Sequence, residues 1–292
     1  MGKIDVKPSV NRQNSWTKKL YIKQSYDDNY VDEKTFLELK RINVNARLYT
    51  YWEAVLYSGL IVQQLSTVII FVLIYVYLRS DLIKIENLVL FFVVPLVGIG
   101  YLSKVIVLKH KCSQIQSDLG NIIKFVLFTY GISPIVNSLT ESISSDTIHA
   151  LTTFMLIFNI LFYDYDSSEA TIASKTFSFN AALFACVCLA SRFEKSSFHT
   201  FILLILAFVL FALFPEYRRY SEEHYPHSIP IFTITCFFIC LIMMINLKLW
   251  LYIFYLCLVC FIISFVCPLI LIKLQSKKKT IHGPWDEALI QT

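Results

Sequence analysis

Long apolar runs, each closed by a short polar interval, set the rhythm of this chain from residue 54 to residue 274. Eight such runs are found, at 54–78, 87–108, 119–139, 146–163, 171–191, 197–214, 229–246 and 249–274. A hydrocarbon core about 30 Å thick is crossed by a helix of about 20 mostly apolar residues. A transmembrane strand is about ten residues of alternating character, so unbroken runs of this length predict helices. Each helix closes its own backbone hydrogen bonds, as lipid requires. The pattern therefore predicts an all-α polytopic membrane bundle of about eight transmembrane helices. The fifth run is the most polar, with Ser174, Lys175, Thr176, Ser178 and Asn180 in its first half. The last two runs are separated only around Lys248, which predicts a tight helical hairpin, and the eighth is long enough to span with tilt.

Three regions follow: an N-terminal segment (1–53), the helix bundle (54–274) and a C-terminal tail (275–292). Composition agrees with a lipid solvent. Hydrophobic residues make up 56% of the 292 positions and charged residues 16%, against roughly a quarter charged in a soluble domain. Lys and Arg are unevenly shared in an eight-span arrangement, with 18 on the side of the two termini and five on the other. The positive-inside rule then expects both termini in the cytoplasm. Tyr49, Tyr51 and Trp52 sit where the first helix enters, as an interfacial aromatic belt would. Residues 1–15 hold no apolar run, so no signal peptide is expected. Thr35 and Glu38 have capping-box spacing, which predicts a short helix over 36–48. The loops average about nine residues once the spans are subtracted, whereas a nucleotide-binding domain needs on the order of 100 residues. No room for one exists.

Candidate chemistry is sparse. Seven of the eight cysteines lie within predicted spans, and Cys112 lies in a cytoplasmic loop of this arrangement, so the oxidising side has nothing to pair. Cys257 and Cys260 have metal or redox spacing but wholly apolar neighbours, and they read as small buried hydrophobes. Asp164 and Asp166 flank Tyr165, and two such carboxylates can hold a divalent cation beside a diphosphate, although no surrounding domain offers to bind a nucleotide. His224 and His227 are separated by Pro226, which keeps them off one regular helical face. No metal site is expected. Gly98 and Gly100, with Pro95, read as a packing or kink site in the second span, and residues 131–134 weaken the third. Lys104, Lys124 and Lys175 fall inside spans, all at the cytoplasmic end. They either snorkel independently to the headgroups or share a basic pocket for an anionic lipid headgroup. Gln63, Gln64, Asn137, Asn159 and Asn180 are candidates for interhelical hydrogen bonds.

The C-terminal string 281–288 (IHGPWDEA) is uncommon, and with 28–32 (DNYVD), 128–134 (FTYGISP), 139–147 (LTESISSDT), 184–192 (FACVCLASR) and Cys267-Pro268 it resembles the PIG-C family. The matches keep family order from about Trp16 to Ala288. The resemblance implies a non-catalytic subunit of the phosphatidylinositol N-acetylglucosaminyltransferase complex of the endoplasmic reticulum membrane. That complex moves N-acetylglucosamine from UDP-GlcNAc to phosphatidylinositol on the cytoplasmic face, the first step of glycosylphosphatidylinositol-anchor synthesis. Its chemistry belongs to a separate PIG-A-type subunit, so no catalytic residue and no cofactor are carried over. In the family pattern only the first aspartate, Asp164, is typical, so no metal pair is implied. The implied role is a scaffold for partner subunits that helps position the acceptor lipid. Lys104, Lys124 and Lys175 are its headgroup candidates, and His282, Gly283, Pro284, Trp285 and Asp286 its partner-contact candidates. The alternative is a lipid or small-solute transporter or scramblase built on helices broken near Pro95 and Pro134, against which no inverted repeat is visible.

Overall fold

The computed structural model describes residues 41–42, 48–84, 86, 89, 98, 112–140, 142–165, 172–193, 197–225, 227–275, 277 and 281–282. Helix α1 (Tyr51–Arg79) opens on a capping box. Thr50 Oγ1 accepts from the Glu53 amide, and Glu53 Oε2 accepts from the Thr50 amide at 2.9 Å. The box predicted at Thr35 and Glu38 lies outside the described residues. Helix α1 ends in a Schellman turn around Asp81 (φ 53°), whose neighbour Leu82 donates back to the Tyr77 carbonyl.

Then follow α2 (Cys112–Leu139), α3 (Ser145–Leu161) and α4 (Ile172–Ala190). Ser144 caps α3 by accepting from the Thr147 amide. Helix α5 (Ser197–Phe208) passes through a π-helical turn (Val209–Leu213) into α6 (Phe214–His224). Helix α7 (Ser228–Asn246) is followed by α8 (Trp250–Phe261), a second π turn (Ile262–Val266) and α9 (Cys267–Gln275). Both π turns stand just before a proline, Pro215 and Pro268. A helical proline has no amide hydrogen and pushes against the carbonyl four residues earlier, and one wider turn absorbs both defects. This device corrects one boundary read from the sequence. The sixth run closes at Phe214, yet the helix continues past Pro215 to His224 and carries Arg218 and Arg219 with it.

Among the described residues five stretches are long and apolar enough to cross a membrane: Tyr51–Arg79, Gly120–Leu139, Ser197–Glu222, Ser228–Asn246 and Trp250–Gln275. Two shorter apolar helices, Ser145–Leu161 and Thr176–Ala190, stand at the fourth and fifth runs. The second run lies almost wholly outside the described residues.

Within residues 49–272, α1 is the central helix. Of its most apolar stretch 72% is buried, against 17% for those of Gly120–Leu139 and Trp250–Gln275. Its polar side chains set it apart, since Ser58, Gln63, Gln64, Ser66 and Thr67 all lie buried within the bundle, where lipid could not satisfy them. Helix α7 packs along it, α3 packs against α4, and α5 packs against both α2 and α4. Without a hydrophobic force between helices in lipid, close approach and polar bonds hold such pairs. Ala182, Ala185, Cys186 and Ala190 are fully buried on α4, where small side chains let neighbours come close.

Hydrogen bonds gather at the two ends of the bundle. At one end, Tyr77 donates to the Met243 carbonyl at 2.8 Å, Arg192 to the carbonyls of Thr140 and Ile143, and Thr200 to the Ala190 carbonyl. The Lys248 hairpin lies at this end too. Lys248 (φ 57°) donates to the Ile245 carbonyl and Leu249 to the Met244 carbonyl, a second Schellman turn. The other end holds the polar cluster described next. Residues 1–48 and 273–292 group as a separate unit, in which β1 (Arg41–Ile42) and β2 (Ile281–His282) pair antiparallel, Arg41 opposite His282.

Candidate functional site

Four helices meet in one continuous polar chain. Arg218 on α6 is 4% exposed, and its Nη2 donates to Gln64 Oε1 on α1 at 3.0 Å. Gln64 Nε2 passes the chain to Asn159 Oδ1 on α3 at 2.8 Å. Asn159 Nδ2 then donates to both the carbonyl and the hydroxyl of Ser178 on α4 at 3.0 Å, and the Ser178 hydroxyl returns a bond to the Asn159 carbonyl. Gln63, beside Gln64, crosses to α7 by donating to the Ile229 carbonyl and to Thr233 Oγ1, both at 2.9 Å. Interhelical bonds of this kind are worth roughly 0.6–2 kcal/mol each.

The guanidinium of Arg218 lies over the rings of Tyr163 and Phe214, 5.1 and 5.3 Å from their centroids. No carboxylate among the described residues reaches it, and its buried Nη1 has no hydrogen-bond partner there. An unneutralised arginine within a candidate span marks a functional position by default, because its burial is costly. Its neighbour Arg219 instead pairs with Asp164, just beyond the end of α3, at 3.3 Å. The Tyr165 phenol donates to the Ile160 carbonyl at 2.7 Å. Burial pushes its pKa up from the ordinary value, against the opposing charge of Arg218, so it stays a neutral donor.

A cavity of about 320 Å³ opens beside this chain, between the end of α3, the start of α4 and the junction of α5 with α6. Its polar lining is Asn159, Asp164, Thr176, Ser178, Glu216 and Arg219. Its apolar lining is Phe179, Phe211, Ala212 and Pro215, with the ring of Tyr163 beside them. A recess of about 20 Å³ lies next to it between Tyr163, Arg218 and Glu222, room for about one water molecule.

Several residues singled out in the sequence find their place in this geometry. Gln63, Gln64 and Asn159 make interhelical bonds, whereas Asn180 is exposed and the buried Asn137 Oδ1 has no partner among the described residues. Asp164 is an ion-pair partner, and Asp166 lies outside the described residues. Lys124 is exposed on α2, while Lys104 and the side chain of Lys175 lie outside what is described. His282 is in β2, and Gly283, Pro284, Trp285 and Asp286 lie outside the described residues. Among the described residues no three His, Cys, Asp or Glu side chains group as metal ligands, and the described cysteines are free. Sequence reasoning misses Arg218 because Pro215 reads as the end of a helix. Two arginines seven and eight residues beyond Phe211, still in helical register, are the available signal.

Comparison with known proteins fixes the family. The family model described as phosphatidylinositol N-acetylglucosaminyltransferase matches residues 16–286. The PIG-C protein of Homo sapiens, named as a subunit of that transferase, is 38% identical over 94% of this chain and 93% of its own length. The chain belongs to the PIG-C family of phosphatidylinositol N-acetylglucosaminyltransferase subunits. The PIG-C protein of Mus musculus is 39% identical over the same shares of the two chains. A more distant family member matches as fully. The GPI2 subunit of the same enzyme in Schizosaccharomyces pombe is 33% identical over 98% of this chain and 90% of its own. No solved structure matches the chain.

Proposed function

We propose that this chain is a non-catalytic membrane subunit of the complex that transfers N-acetylglucosamine from UDP-GlcNAc to phosphatidylinositol, the first step of glycosylphosphatidylinositol-anchor synthesis. The observation that carries the reading is the near full-length match to proteins named as PIG-C-type subunits of that transferase. Physical economy supports the non-catalytic part. The chain is spent on apolar helices and short connections, with no stretch of the size a nucleotide-sugar domain needs. In this reading it sits in the endoplasmic reticulum membrane, crosses eight times, and keeps both termini in the cytoplasm.

The pairing of helix ends supports that topology. The polar cluster joins the first half of α1, the C-terminal end of α3, the middle of α6, the N-terminal half of α4 and the N-terminal end of α7. Bonds at the opposite end join the C-terminal ends of α1 and α7 and those of α2 and α4. Helix α1 thus finishes at one end and α2 starts at the other, as one crossing between them would require. The scaffold would hold a PIG-A-type catalytic subunit and other membrane subunits through its tail, His282, Gly283, Pro284, Trp285 and Asp286 included. Lys104, Lys124 and Lys175 would draw the anionic phosphatidylinositol headgroup to its cytoplasmic end.

Reconstitution tests the proposal. Liposomes carrying the partner subunits should form N-acetylglucosaminyl phosphatidylinositol only when this chain is added, and the chain alone should form none. Transfer by the isolated chain would overturn the non-catalytic reading, and full transfer without it would overturn the subunit reading.

A further inference from the structure

We propose that the cavity between α3, α4 and the α5–α6 junction is the seat of a lipid headgroup built as a polyhydroxyl ring on a phosphodiester. The proposal rests on the function above and names the site where that acceptor sits. It is carried by the chemistry of the mixed polar and apolar lining. Hydroxyl-rich rings are held by planar groups that accept and donate several hydrogen bonds at once, and carboxylates, amides and a guanidinium supply that set. Asp164, Glu216, Asn159 and Arg219 provide it here, with the hydroxyls of Thr176 and Ser178 alongside. A bare phosphate would fit poorly, because Asp164 already pairs with Arg219 and Glu216 adds a second carboxylate. Arg218, which keeps an unbonded Nη1 among the described residues, lines the adjoining recess.

The apolar part of the lining decides between the two rings that such chemistry admits, a lipid headgroup and the sugar of a soluble nucleotide donor. Phe179, Phe211, Ala212 and Pro215 present an apolar surface, and Phe211, Ala212 and Pro215 belong to a stretch apolar enough to cross the membrane. A soluble sugar nucleotide gains little from these apolar side chains, whereas the glycerol and first acyl carbons of a lipid are matched by them. The volume of about 320 Å³ falls at the lower end of the roughly 300–1,000 Å³ typical of small-molecule sites. That suits a headgroup rather than a whole lipid. The π turn (Val209–Leu213) contributes directly, since it supplies Phe211 and Ala212 and carries the helix on to Glu216 and Arg219.

The test uses the intact complex, purified in detergent and exposed to phosphatidylcholine nanodiscs containing either phosphatidylinositol or phosphatidic acid. Thr176→Val and Glu216→Gln are the variants, because neither residue belongs to the buried bonded chain. Each should raise the KM for phosphatidylinositol by about tenfold, the loss of one good hydrogen bond to a charged or polar partner, and leave the KM for UDP-GlcNAc unchanged. Wild type should retain phosphatidylinositol over phosphatidic acid in mass spectra of bound lipid, and the variants should lose that preference. Equal retention of the two lipids by wild type would overturn the polyhydroxyl assignment. A rise in the UDP-GlcNAc KM alone would assign the cavity to the donor instead. Unchanged constants in both variants would show that the lipid sits elsewhere, with the subunit reading intact. Loss of the function proposed above is read separately, by transfer persisting when the chain is omitted.

Discussion

Arg218 Nη2 and Gln64 Oε1 stand 3.0 Å apart, tying α6 to α1 across 154 positions of sequence. Among the described residues Gln64 is the one side chain that accepts from this buried guanidinium, and it is itself held by Asn159. Gln64→Leu takes from the buried guanidinium its one side-chain acceptor among the described residues, and leaving such a donor unsatisfied costs about 1–3 kcal/mol. The variant should unfold at markedly lower temperature in detergent, followed by tryptophan fluorescence. Arg218→Lys should not rescue stability, because a lysine cannot present the planar fork that meets Gln64 while lying over Tyr163. A Gln64→Leu protein as stable as wild type would show that the bond contributes nothing.

The adjacent arginine should behave differently. Arg219 meets Asp164 at 3.3 Å with its side chain 24% exposed, and partly solvated pairs contribute about 0–1 kcal/mol. Arg219→Gln should therefore shift the melting midpoint little, whereas Arg218→Gln shifts it strongly. Parallel melts of the two variants check this contrast between neighbours that look alike in the sequence.

Gly59 and Thr233 predict a coupled pair. A Cβ built on Gly59 would lie 2.8 Å from Thr233 Oγ1. That hydroxyl cannot simply swing away, because it donates toward the Ile229 and Gly59 carbonyls and accepts from Gln63 Nε2. Gly59→Ala should cost about 1–3 kcal/mol as an overpacked contact between α1 and α7. Thr233→Ala removes the obstructing oxygen, so the double variant should lose less than the two singles together. Strict additivity in a double-mutant cycle would dismiss the contact.

What is legible in the sequence follows from the solvent. Lipid forces helices and fixes their length, so the apolar runs locate α1, α3, α4, α7 and the α8–α9 stretch to within a few residues. Gln63, Gln64 and Asn159 stand out because amides inside apolar runs need partners. Arg218 does not stand out, because burial of an arginine depends on what surrounds it. The π turn that keeps it helical stands before Pro215, and a proline by itself does not tell a helix that ends from one that widens and goes on. The cavity is equally hidden, since its walls come from three segments and no local pattern records that they meet.

Two helix ends carry a cost that glycine would remove. Asp81 and Lys248 both take left-handed backbone conformations, at φ 53° and 57°, to close their Schellman turns. For a residue with a Cβ this region costs roughly 1–2 kcal/mol, part of which glycine recovers before its greater unfolded-state freedom is counted. Lys248→Gly should raise stability by about 0.5–1 kcal/mol by tightening the hairpin between α7 and α8. Asp81→Gly should act in the same direction at the end of α1. Thermal midpoints of the two single variants and of the pair check this, and the sites are expected to add.

The topology makes the last prediction. Tyr49, ahead of α1, and Arg218, in the middle of α6, belong to the same end of the bundle, because Gln64 in the first half of α1 receives Arg218. Arg79 and His149 approach each other at the opposite end, which also holds the Lys248 hairpin. In sealed microsomes, epitope tags at residues 1 and 292 should both be digested by external protease. A single cysteine placed at Ser80 should react with an impermeant maleimide only after the membrane is opened, in a background where the native cysteines are replaced. Protection of one tag alone would mean an odd number of crossings, and immediate labelling at Ser80 would invert the orientation drawn from the Lys and Arg asymmetry.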